Sequence, residues 1–173
     1  HTLGLDLPGE PFQEVLLAVD EQALRDCPVE LRYDRRMHLL TDLRQLFLRQ
    51  ISQTRSLWCI TMGYLVGVIY PNTQTPELET LCRKAVEYAE QTYGLPVHAT
   101  ISATWEHAAN IASAFKMLQD LEKSRAFYQD MIEPVFITSP SIMARLTDAE
   151  QRVQFEQSFL PTAGRICGTV RAG

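Results

Sequence analysis

The sequence predicts an α+β domain in which helices pack on a mostly antiparallel sheet, and three observations predict it. Apolar runs of strand length alternate with longer stretches of helical period. Two of the short runs flank a glycine with too few residues between them for anything but a hairpin. The order that results is β-α-β-β-α-β, followed by a helix and a further strand, so two β-α-β halves share the central hairpin. That is the ferredoxin-like plan, with its helices expected on one face of the sheet.

Taken in order, residues 1–11 are rich in Gly and Pro without period and read as a lead-in. Residues 12–19 (Phe-Gln-Glu-Val-Leu-Leu-Ala-Val) stop sharply at Asp20, too short a run for a helix, and read as a buried strand. A helical stripe occupies about residues 31–53, with Leu40, Leu43, Phe47 and Ile51 on one face. The hairpin follows: residues 57–61, the turn at Met62-Gly63-Tyr64, and residues 65–70, closed by Pro71-Asn72. Thr75-Pro76-Glu77 is a helix start, combining a capping hydroxyl, a first-turn proline and an acid at the positive end of the dipole. Leu78, Leu81, Cys82, Ala85 and Ala89 form its stripe, and Gly94 with Pro96 stops it.

Alternation at Val97, Ala99 and Ile101 marks the next strand. Thr104 is expected to cap a helix whose inner face is Ala108, Ile111, Ala112, Phe115 and Leu118, running to about Met131. Residues 134–138 read as a short last strand, which closes a domain at 12–138. Residues 139–173 read as a helical appendage with two helical stretches, 141–155 and 159–171.

Composition narrows the function. Apolar residues at 46% suffice for a core, and no apolar run reaches the roughly 18 residues of a membrane span. No secretory signal is visible, and the expected setting is cytoplasmic. A net charge of −5 speaks against this segment gripping nucleic acid by itself. The basic knot Arg32, Arg35 and Arg36 is diluted by Asp34 and reads as a solvated helix face. Cys27, Cys59, Cys82 and Cys167 match no zinc spacing and are expected to be free thiols of a reducing compartment. The chain starts at His1 without a methionine and stops at Gly173 in mid-pattern, as expected of a segment of something longer.

Motifs for the common chemistries are missing: no Walker-type loop, no dinucleotide fingerprint, no zincin pair and no nucleophile elbow. His98 and His38 are read as structural or surface residues. Asp20-Glu21 follows the first strand, where α/β sites collect, but a divalent cation needs a second acidic cluster. The hairpin turn, Met62-Gly63-Tyr64-Leu65, has no acid to offer, so metal-assisted phosphoryl chemistry is under-equipped.

The order of elements and this hairpin resemble the GGDEF family. In that family a strand ends in a metal-binding aspartate, and the hairpin turn carries Gly-Gly-Asp/Glu-Glu-Phe ahead of an apolar strand ending in proline. Here Met62-Gly63-Tyr64-Leu65-Val66 stands at the pentapeptide, and of the signature residues only Gly63 survives as itself. Asp20 matches the aspartate, and Thr100-Ile101-Ser102 resembles the Gly-Ile/Val-Ser strand end. The resemblance covers roughly residues 11–131. It implies a cyclase fold without cyclase activity, because Tyr64 and Leu65 replace the acids.

A narrower similarity is to the degenerate domains of this kind in AraC-type bacterial transcription regulators, which lie upstream of paired helix-turn-helix units. Ser102, the helical face at 108–121, Lys123-Ser124-Arg125-Ala126-Phe127-Tyr128 and the segment 159–173 carry it. What it implies is a non-catalytic sensory or dimerisation module. It would have no cofactor and no metal, and would meet DNA only through a region not in this chain. A homodimer is the expected partner state, built on Ile142, Met143, Leu146, Val153, Phe155 and Phe159 unless these pack within the chain. Two other readings stay open: a small-molecule or nucleotide receptor with Asp20, Gly63 and Tyr64 in its wall, and a free-standing adaptor.

Overall fold

The apolar run after Pro11 forms β1 (Gln13–Val19), buried at every residue but the first. This computed structural model describes residues 11–51, 55–70, 75–125 and 133–138. The lead-in up to residue 10, the stretch at 126–132 and the helical appendage at 139–173 lie outside the described residues. The other strands are β2 (Ser56–Thr61), β3 (Tyr64–Ile69), β4 (Val97–Ile101) and β5 (Val135–Ile137). They form one sheet in the order β2-β3-β1-β4-β5. The pairs β1–β3, β1–β4 and β2–β3 are antiparallel, as a ferredoxin-like core requires, and β5 adds in parallel to β4. No helix among the described residues is long and apolar enough to cross a membrane.

Among the described residues, four α-helices accompany the sheet: α1 (Glu21–Arg25), α2 (Val29–Gln50), α3 (Thr75–Tyr88) and α4 (Ile111–Ser124). The expected stripe of α2 is buried, Leu40, Leu43 and Phe47 all at 0% exposure, with Leu39 beside them. It packs with Leu78, Cys82 and Ala85 of α3 against Val15, Leu17 and Val19 of β1 and forms the main core. Full burial of one such side chain contributes about 1.5–3 kcal/mol. The Phe47 ring stacks on Trp58, with centroids 4.2 Å apart and planes 17° from parallel. Trp58 in turn lies flat over Gly67 of β3, its cross-strand partner. A Cβ at Gly67 would come within 2.4 Å of the indole, so only glycine lets the ring reach the core.

The structure differs from the sequence expectation in four places. First, α4 does not share the face covered by α2 and α3. Ala114 and Leu118 of α4 pack with Phe12, which precedes β1, and with Leu16 and Ala18, which alternate with the main-core set. A strand covered on both faces has no reason to alternate, and that is why residues 15–19 are apolar without a break. Second, α1 is an additional short helix. It forms because Asp20 caps it, the carboxylate Oδ1 accepting from the Ala23 amide at 3.0 Å.

Third, Thr104 caps nothing. The Trp105 amide and carbonyl are both held by Phe12 at 2.8 Å, so the chain stays extended there and the helix waits until Ile111. Ala112 is exposed, and Ala114 takes its place on the inner face. Fourth, the basic knot, half-exposed, is also bonded within the chain. Arg32 donates to the Cys27 and Arg25 carbonyls at 3.0 and 2.9 Å, which stops α1, and Arg35 donates to the Tyr93 carbonyl at 2.6 Å.

The stop after α3 also carries a detail absent from the pattern. Residues Ala89–Tyr93 form a π-helical turn before Gly94, whose φ of 63° ends it. The wide turn brings Tyr88 and Tyr93 edge to face, with ring centroids 6.3 Å apart. Both hydroxyls donate to the Asp42 carboxylate of α2.

Candidate functional site

Three groups meet at the C-terminal end of β1: the cap residue Asp20, the β2–β3 hairpin turn, and the start of β4. The hairpin is tighter than the sequence suggests. Thr61 pairs with Tyr64, so the turn proper is Met62-Gly63 alone. Both residues have positive φ, 54° and 81°, the geometry of a two-residue turn whose twist matches the strands. Gly63 meets this freely. The nearest atom to a Cβ there is Arg36 Nη1, at an ordinary 3.5 Å, so the backbone angle and not space demands glycine. Met62 adopts a left-handed conformation despite its side chain, which is 70% exposed.

Tyr64 is therefore the first residue of β3, not a turn residue. It sits across from Ala18. Its ring is half-buried against the cluster of Leu16, Ala18 and Leu118, next to Phe115. Burial pushes its phenol pKa up, Glu122 and Glu21 add to the shift, and Arg36 opposes them.

Asp20 is held from three directions. Its amide donates to the Pro96 carbonyl at 2.9 Å, Oδ1 caps α1, and Oδ2 lies 3.6 Å from His98 Nε2. His98 has Glu122 on its other side, with Nδ1 3.3 Å from Oε1. Glu122 also accepts from Arg125 Nε at 3.0 Å. Arg125 donates onward to Thr100 Oγ1 at 3.1 Å and to the Glu133 carbonyl at 2.9 Å. The series Asp20, His98, Glu122, Arg125 thus ties the end of β1 to β4 and to the C-terminus of α4. On the far side of the turn, Glu21 pairs with Arg36 of α2.

The expected trio of Asp20, Gly63 and Tyr64 does fall at one end of the sheet. Asp20 and Tyr64 share the α4 face, and Gly63 lies under Arg36. The sequence reading took His98 as a structural or surface residue, and did not anticipate Glu122 or Arg125 as part of its network. One signal was available: Val97, Ala99 and Ile101 face the main core, so His98 and Thr100 had to face the other side, where a second layer needs polar partners.

Chemically, these groups satisfy one another. Among the described residues, no three His, Cys, Asp or Glu side chains are grouped so as to hold a metal ion. The turn offers a thioether and a glycine where charge would have to be placed.

The fold and this end of the sheet define a ferredoxin-like α+β domain with a helical layer on each face. No family model matches the chain, and no curated protein matches it. Among solved structures it is similar to the active GGEEF domain of a diguanylate cyclase from Vibrio cholerae. The two are 17% identical with a TM-score of 0.46, over 66% of this chain and 78% of that one.

Proposed function

We propose that this domain is a non-catalytic signalling module of a bacterial transcription regulator of the AraC type, working in the cytoplasm as a homodimer and meeting DNA only through a separate region. The single observation that supports the non-catalytic part is the hairpin turn. Met62 and Gly63 form it, Tyr64 is packed away against α4, and Asp20 is already engaged as a helix cap and a histidine partner. Two-metal phosphoryl transfer needs carboxylates free to ligate cations on both sides of the reacting phosphate. The placement of this domain in a regulator rests on the resemblance of Ser102, the α4 face and Lys123-Ser124-Arg125.

Incubation of the purified chain with GTP and magnesium tests the non-catalytic part. No cyclic dinucleotide is expected above a protein-free blank, and its formation would overturn the proposal. A light-scattering series tests the dimer, which predicts a mass that rises toward twice that of the chain as concentration increases. A constant monomer mass would refute it.

A further inference from the structure

Glu14 is the second residue of β1, with 1% exposure, and neither carboxylate oxygen has a hydrogen-bond partner among the described residues. It points to the α4 side, and its position there is specific. Phe12 belongs to one small apolar cluster with Val68, Tyr70 and Ala114, whereas Leu16 and Ala18 belong to another with Leu118. Glu14 stands between the two and divides the second layer at its seam. Its backbone is fixed: the amide donates to Ser102 Oγ at 2.8 Å and the carbonyl accepts from the Ser102 amide at 2.8 Å. The main core opposite is one continuous cluster without an acid.

We propose that Glu14 makes the α4 layer a pH-sensitive gate, in which ionisation of its carboxyl releases α4 from the sheet and leaves the α2–α3 side packed. Among the described residues, the ionisable and charged groups on this side are few. β2 contributes Cys59, whose thiol is pushed up by burial and then by Glu14, and Arg44 of α2 opposes that shift. Arg44 is itself bonded to the Trp58 carbonyl at 3.0 Å. β3 contributes Tyr64, and Tyr70 follows it; β4 contributes His98; α4 contributes Glu122 and Arg125, already engaged with His98 and Thr100. Lys116, Asp120 and Lys123 of α4, and Glu106 and His107 before it, are exposed. Among the described residues, no cation is bonded to the Glu14 carboxylate to offset its burial.

Burial pushes the Glu14 pKa from 4.5 up to about 8 in the closed state. Opening returns the carboxyl to water and to its ordinary range, so the open state binds fewer protons between those two values. The opening equilibrium therefore rises about tenfold per pH unit across that window and levels off above it.

Hydrogen exchange of the full chain from pH 5 to 9, corrected for intrinsic rates, tests this. The α4 amides are expected to lose protection about tenfold per unit up to pH 8 while the α2 amides hold theirs. In Glu14→Gln, which keeps the shape and cannot ionise, the α4 dependence is expected to vanish. An unchanged α4 dependence in Glu14→Gln overturns the proposal. Equal pH dependence in α2 and α4 of the wild-type chain also overturns it, and this second readout decides even if the variant does not fold.

Discussion

At Gly67 the side chain is dictated by its neighbour. Trp58 occupies the space a Cβ would need, and Phe47 backs the indole from the other side. Gly67→Ala must displace a stacked ring and is expected to cost about 1–3 kcal/mol in a denaturant melt. A neutral result would mean that the ring lies elsewhere. Met62 presents the opposite case. A left-handed residue that is not glycine carries a strain of roughly 1–2 kcal/mol, which asparagine or glycine relieves. Met62→Gly is expected to raise the midpoint of urea unfolding, and Gly63→Ala to lower it.

Glu14 gives a pH dependence with a definite sign. Its carboxyl is raised in the fold from 4.5 to about 8, so the folded state holds the proton that the unfolded state has released. This contribution is fully present below pH 4.5, is lost as pH rises toward 8, and is flat above that. Glu14→Gln is expected to narrow the difference in stability between pH 5 and pH 8. A Glu14→Gln melt with the wild-type slope would contradict this reading.

Among the elements, α2 and α4 differ in what supports them. Leu40 lies within the large core shared by α2, α3 and the sheet, and Leu40→Ala is expected to cost about 2–5 kcal/mol. Leu118 of α4 is equally buried but packs in a small cluster whose surroundings can close around a cavity, so Leu118→Ala belongs at the low end of that range. Chemical denaturation of the two variants checks the order.

The same contrast explains what the sequence could reveal. The α2 stripe, the α3 stripe with its Gly94 stop, and the existence of the hairpin at Gly63 follow from local periodicity and turn chemistry and are found; the tighter turn and the π-helical end of α3 are not in that pattern. The face on which α4 packs does not follow from local pattern, because either face of an apolar strand accepts a helix. The unbroken run at residues 15–19 was the available sign of a two-sided sheet. The late start of α4 was illegible for a related reason: the Phe12–Trp105 pairing joins residues far apart in sequence. His98 and Glu122 meet only because that second layer exists.

For the whole molecule, the sheet order β2-β3-β1-β4-β5 places Asp20, the hairpin turn and the start of β4 at one end. That Asp20 and Gly63 fall at the same end of the sheet was legible from the order of elements. The site's contents were not, because tertiary partners supplied them. A net charge of −5, with the basic knot bonded to neighbouring carbonyls, speaks against this chain holding DNA by itself. A fluorescence titration with duplex DNA at moderate salt is expected to show no saturable binding by this chain.

The most direct test of the regulator proposal is to read the parent gene past the codon for Gly173. Two successive helix-turn-helix units with basic recognition faces within about 150 residues are the predicted result. An early stop codon, or an effector domain of another kind, would contradict the proposal and favour a free-standing binding or adaptor domain.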